Sequence, residues 1–170
     1  NLGLNINTAA DEMSPSIAAD NERLYFASNR VDGLGGFDIY MIDLPKTTTK
    51  APVKNVGAPV NSNADEYFYF SLPNANQAYF SSSRDGGSLD IYSAVPDPAP
   101  GKPVLIVHGV VKNVVTDKPL GSTITITDLN TATKIGEFQS DDETGEYFVT
   151  LAAGREYSVT ASKEGYLFYS

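Results

Sequence analysis

"GLNINTAADEMSPSIAADNERLYFASNR", residues 3–30, aligns without a gap on "GAPVNSNADEYFYFSLPNANQAYFSSSR", residues 57–84, at an offset of 54 residues. Gly3/Gly57, Asn7/Asn61, Ala10/Ala64, Asp11/Asp65, Glu12/Glu66, Tyr25/Tyr79, Phe26/Phe80, Ser28/Ser82 and Arg30/Arg84 are identical pairs. After a shortening by two residues the match resumes, "GGFDIY" (35–40) against "GSLDIY" (87–92). Repetition at a fixed period marks units that bury their apolar faces on one another.

Within each repeat, short runs of aromatic and β-branched residues alternate with turn residues, which is a strand pattern. The first repeat predicts strands at about 13–18, 23–28 and 37–43, with "VKNVG" (53–57) as an outer strand. In "RLYFAS", Leu24 and Phe26 occupy one phase and Tyr25 and Ala27 the other, so both faces need cover. Sheets stacked face to face meet that need. The expectation is an all-β chain whose residues 1–95 form two blades of a partial β-propeller, about 1–50 and 51–95.

The glycines of "RVDGLGGFDIY" (30–40) invite comparison with a phosphate-cradling loop. No helical pattern follows either copy, so no helix N-terminus would meet an anion, and a tight link between the second and third strands is expected.

The second repeat lacks an outer-strand segment, because "VPDPAPGKP" (95–103) follows with four prolines in nine residues. Residues 96–103 read as a stiff, extended linker and a domain boundary. The last sheet edge is therefore expected to be open to a strand from a partner or from "LGLNI" (2–6). Beyond the prolines the pattern becomes simple alternation. Ile124 and Ile126 alternate with threonines, Tyr147, Val149 and Leu151 with Glu146, Phe148 and Thr150, and Tyr157, Val159 and Ala161 follow suit. Residues 104–170 thus predict an antiparallel β-sandwich.

Composition narrows the chemistry. Twelve basic against 21 acidic residues give a net charge of -9, which excludes a phosphate-tracking surface for nucleic acid. There is no cysteine and a single histidine, His108, within "VLIVHGVV", so thiol and multi-histidine metal chemistry are excluded and His108 reads as a structural or surface residue. No apolar run of about 18 residues occurs, so no helical membrane span is expected. The chain begins "NLGLNI" without Met and is expected to be part of a longer or processed product.

Asp11, Glu12, Asp65 and Glu66 could be drawn as acid–base pairs. Their recurrence at equivalent positions points instead to a shared structural role, such as accepting backbone N–H bonds at a loop. Asp38 and Asp90, in "FDIY" and "LDIY", are expected to make hydrogen bonds or ion pairs within their repeats, with Arg30 and Arg84 upstream. "SDDETGEY" (140–147) lacks the alternate-residue ligand spacing of a calcium loop and reads as a solvated hairpin turn. "EYFYF" (66–70) should be mostly core, with one or two rings left for a partner, and "TTTK" (47–50) a polar loop. No catalytic, cofactor-binding or metal residue, and no enzyme activity or cofactor, is assigned.

The pattern "DEMSPSIAADNERLYFASNR…GGFDIY" resembles the WD-repeat-like blades of TolB-type propellers, departing from them at "AADN" (18–21) and "LPNAN" (72–76), where an Asp-Gly turn is usual. Residues 107–170, through "TDKPL", "ITDL", "TGEYFVTLAAG" and "EGYLFYS", are similar to carboxypeptidase-regulatory-like domains, which have a transthyretin/Ig-like sandwich. In this order the modules resemble the middle of multidomain OmpA-family envelope proteins, including those of type IX secretion and gliding systems. The resemblance implies a non-catalytic scaffold in the periplasm, associated with the outer membrane. It would contact other envelope proteins and reach peptidoglycan only through a domain absent from this sequence. The alternative is a carbohydrate-binding or hydrolytic propeller with Asp11, Glu12, Asp65 and Glu66 at its mouth.

Overall fold

Strands form where aromatic and β-branched residues cluster. In the computed structural model, which describes residues 1–44 and 51–167, β1 (Glu12–Ile17), β2 (Arg23–Ser28), β3 (Asp38–Asp43) and β4 (Lys54–Asn55) make one antiparallel sheet in that order. β5 (Glu66–Ser71), β6 (Ala78–Ser82) and β7 (Asp90–Ala94) make a second, three-stranded sheet. The repeat is therefore structural. Ile17 pairs with Leu24 as Ser71 pairs with Ala78, and Ala27 pairs with Ile39 as Ser81 pairs with Ile91. Both first strands carry a bulge at the same place, with Ser14 at φ 51 and Phe68 at φ 55.

The hairpins that lack the usual Asp-Gly close nonetheless. Ala18 N–H donates to Arg23 O at 2.9 Å, and Leu72 N–H to Gln77 O at 3.0 Å. Asn21 (φ 55) and Asn74 (φ 60) take the left-handed conformation that asparagine tolerates.

The central strand β2 is buried on both faces, as its double apolar phase requires. Tyr25, Ala27 and Ile39 join Tyr69, Ala78 and Phe80 of the second sheet in one core, with the Tyr25 and Tyr69 rings 4.9 Å apart. Leu24, Phe26, Tyr40 and Ile42 form a separate core on the opposite face, into which Ile6 inserts. "LGLNI" accordingly adds no strand to β7, contrary to expectation. It is held in a turn, with Ile6 and Asn7 N–H donating to Gly3 O, and its apolar end serves the first repeat.

The chain divides into two compact units, Asn1–Val104 and Leu105–Ser170. Residues 96–103 lie with the first. Ala99 belongs to its core, Tyr25 Oη donates to Ala99 O at 2.6 Å, and buried Asp97 accepts Tyr69 Oη, Ser71 Oγ and Ala99 N–H. A proline-rich chain has unspent carbonyls, and buried tyrosine hydroxyls need acceptors, so the segment packs rather than spans. Burial pushes the Tyr25 hydroxyl up to about 12.

Apart from Val104, which closes the first unit and begins β8, the second unit holds the two-stranded sheet β8 (Val104–Val110) with β11 (Glu146–Ala152), and the three-stranded sheet in which β9 (Thr123–Asp128) lies between β10 (Thr133–Gln139) and β12 (Tyr157–Ser162). The alternating residues Ile124, Ile126, Val149 and Leu151 meet in its core. Buried Asp128 ends β9, accepting Arg155 Nη1 at 2.8 Å and the N–H groups of Asn130 and Thr131. Among the described residues the fold is all-β, with antiparallel sheets, no helix and no closed barrel.

Candidate functional site

The acids singled out by the repeat sit in two copies of one polar network. Glu66 is fully buried and accepts Ser62 N–H at 2.9 Å, Ser62 Oγ at 2.6 Å and Ser82 Oγ at 2.7 Å, with Arg84 at 3.4 Å. Glu12 accepts Thr8 N–H at 3.0 Å, Thr8 Oγ1 at 2.6 Å and Ser28 Oγ at 3.1 Å, with Arg30 at 3.3 Å. Each carboxylate thus ties down a strap before its strand. Burial pushes the Glu12 carboxyl up, but the hydrogen bonds from Thr8 and Ser28 and the Arg30 charge together hold it below the usual range.

The arginines complete the network. Arg30 lies over the rings of Phe26 and Tyr40, 5.2 and 4.6 Å from their centroids, and Arg84 lies over Phe80 and Tyr92 at 5.1 and 5.0 Å. A planar guanidinium can stack and donate at once, which lysine cannot do. The expected partnership with Asp38 and Asp90 is not formed. Arg30 and Arg84 face Glu12 and Glu66, because the strap carbonyls of Ile6 and Val60 lie beside those glutamates and accept the same guanidinium nitrogen. Asp38 instead accepts Leu34 and Gly35 N–H within the glycine turn, while Asp90 is exposed. One Asp38 oxygen is buried without a partner among the described residues, and burial raises its carboxyl.

A second constellation joins the two repeats. Asn61 grips β3 at Ile39, accepting its N–H through Oδ1 and donating to its carbonyl through Nδ2, both at 2.8 Å. Asp65 accepts Phe37 N–H at 2.8 Å, Glu66 N–H donates to Phe37 O at 2.6 Å, and Gly36 N–H donates to Ala64 O at 3.1 Å. Apolar contact follows the same line, with the Phe37 and Tyr67 rings 5.1 Å apart. The glycines of "GLGG" make this approach possible. A Cβ on Gly35 would lie 2.3 Å from Ala64 O, and one on Gly36 would lie 2.1 Å from Asp65 Oδ1. The turn is thus a docking surface for the next repeat.

The remaining candidates fall elsewhere. His108 is exposed in the second unit, 3.9 Å from Glu146, beside an open depression that Asp141, Thr144, Tyr147 and Phe148 also line. Asp141 is turned into its own hairpin, accepting Glu143 N–H, Thr144 N–H and Thr144 Oγ1. No group of three or more acidic or histidine side chains is arranged to hold a metal among the described residues. In "EYFYF", Tyr67 and Tyr69 pack inward and Phe68 and Phe70 are exposed. Asn7/Asn61 and the Thr8/Ser62 pair carry roles that sequence reasoning did not assign, although their recurrence 54 residues apart was the available signal. No family model matches the chain, and comparison with curated proteins and with solved structures finds no significant match.

Proposed function

We propose that this chain is a non-catalytic interaction scaffold, built of two propeller-type blades and a transthyretin/Ig-like sandwich, which positions partner proteins in a Gram-negative envelope. The observation that carries the non-catalytic part is how the acids are used. Glu12, Glu66 and Asp65 all accept hydrogen bonds from the straps, turns and strands they hold in place. A general acid or base must instead be free to exchange a proton with substrate. The envelope setting, the OmpA-family relationship and the outer-membrane partners rest on the sequence resemblance alone.

The test is a glycan array and a glycosidase assay on the whole chain, alongside cross-linking in the envelope fraction of cells that make it. The reading expects no saturable glycan signal, no turnover and cross-links to envelope proteins. Turnover that disappears in Asp11→Asn, whose carboxylate has no partner among the described residues, would replace it with the hydrolytic alternative.

A further inference from the structure

The proline-rich segment 96–103 sits in the first unit as a peptide sits in a groove. Its residues alternate: Asp97 and Ala99 are buried and Gly101 is half-buried, whereas Pro98, Pro100 and Lys102 are exposed. Ala99 enters the core that the two repeats share. Gly101 lies so near the first hairpin that a Cβ there would be 3.0 Å from the Ala18 Cβ. Among the described residues no strand pairs with 97–103, so side chains hold most of this extended stretch.

Both repeats supply walls to the groove. The second repeat makes the Asp97 pocket, where Tyr69 Oη and Ser71 Oγ donate to the carboxylate and Asp97 N–H donates to Asn76 Oδ1 at 3.2 Å. The first repeat reads the backbone that follows. Tyr25 Oη donates to Ala99 O at 2.6 Å, Arg23 Nη1 donates to Pro100 O at 2.7 Å, and Lys102 N–H donates to Asp20 Oδ2 at 2.5 Å. Asn74 closes the far end, accepting Val104 N–H at 3.0 Å and donating to Val104 O at 2.9 Å. The outward prolines keep the segment extended and leave no N–H on the solvent side. Main-chain bonds combined with pockets for alternate side chains are how an extended peptide is recognised.

We propose that this groove is a recognition site for an extended Asp-x-Ala-x-Gly segment of a partner protein, and that residues 97–104 are its inhibitory ligand in cis. The chemistry of the partner is read from the occupant. Two hydroxyls converge on the Asp97 carboxylate, so a carboxylate is required at that place. The next two inward positions take small residues, because Ala99 is only 1% exposed within the core and Gly101 abuts Ala18. The tethered copy competes at an effective concentration on the order of 1 mM, so a partner enters as residues 97–104 are displaced. The inference rests on the scaffold reading and gives it a docking site.

The experiment follows thermal unfolding of the first unit, in the whole chain, against the synthetic peptide VPDPAPGKPV (residues 95–104) at up to about 1 mM. In wild type the tethered copy holds the site and the midpoint should stay where it is. Asp97→Ala/Ala99→Arg strips both inward anchors from the tethered copy and leaves the groove residues unchanged. Its midpoint should rise with each increment of peptide, because a ligand of the folded state stabilises that state. The same peptide with Ala in place of Asp should bind about tenfold more weakly or worse, and so should the original peptide when Ser71→Ala is added to the double variant. If the double variant is unfolded on its own, the peptide should restore its circular dichroism. A midpoint and spectrum that the peptide leaves unchanged in the double variant, or an equal response to both peptides, overturns the inference while leaving the scaffold reading in place. Glycan turnover would remove the scaffold reading and leave the peptide result standing.

Discussion

Asn61→Ala and Asn7→Ala make the same chemical change at equivalent positions of the two repeats, yet the structure assigns them different costs. Asn61 is buried and makes three hydrogen bonds at 2.8 Å, to the Ile39 N–H, the Ile39 carbonyl and Asn55 Oδ1. Removing it leaves the Ile39 N–H buried and unpaired, at about 1–3 kcal/mol. The Ile39 carbonyl keeps Val56 N–H as a donor at 3.0 Å, so that loss and the Asn55 bond cost about 0.5–1.5 kcal/mol each. The sum is roughly 2–6 kcal/mol. Among the described residues Asn7 bonds only to Asn1 and Gly3, at the exposed amino end, where the cost should stay at about 0.5 kcal/mol. Amide hydrogen exchange in dilute solution is the suitable assay, because it reads the Ile39 N–H directly and separates the two units. Asn61→Ala should raise exchange at Ile39 by about one and a half decades or more, and Asn7→Ala should leave it nearly unchanged. Equal effects of the two substitutions would refute the asymmetry, and with it the account of the junction.

Three further outcomes follow from the same contacts. Gly35→Ala places a Cβ against the Ala64 and Ser62 carbonyl oxygens, which are backbone and yield little, so thermal unfolding of the first unit should reveal a loss of about 1–3 kcal/mol; an unchanged midpoint would contradict the close approach. Asp38 has its carboxyl raised by burial, so any stability it contributes is present in acid and lost as pH rises through its folded-state value. Asp38→Asn should therefore cost less than about 1 kcal/mol at pH 7 in urea unfolding, and a loss above about 2 would contradict the orphaned-oxygen account. Asp128 shifts the other way, held low first by the Arg155 hydrogen bond, so its contribution is present above the ordinary carboxylate value of 3.8 and lost as pH falls through the lower folded value. Asp128→Asn should reduce stability at pH 7 and flatten the acid limb of the second unit's stability profile.

Much of the first unit was legible because a repeat states its own register. Leu24, Tyr25, Phe26 and Ala27 announced a strand buried on both faces, and the two separate cores confirm it. The alternation of Ile124, Ile126, Val149 and Leu151 likewise foretold a sheet with one buried face. The pairing of Arg30 and Arg84 was not legible. Proximity in sequence favoured Asp38 and Asp90, but an antiparallel sheet brings Glu12 across from Ser28 and so places it within reach of Arg30.

By itself the sequence determined the strands, their duplication and the equivalence of the acids in the two repeats, because period-2 patterning and identity at fixed spacing are local properties of the chain. Only the tertiary structure decided what the glycine turn and the proline-rich segment do. Gly35 and Gly36 are needed for the close approach of residues 62–65, and residues 96–103 pack because buried tyrosine hydroxyls require acceptors. Both depend on which backbone atoms come within about 3 Å across long separations, and composition carries no record of that distance.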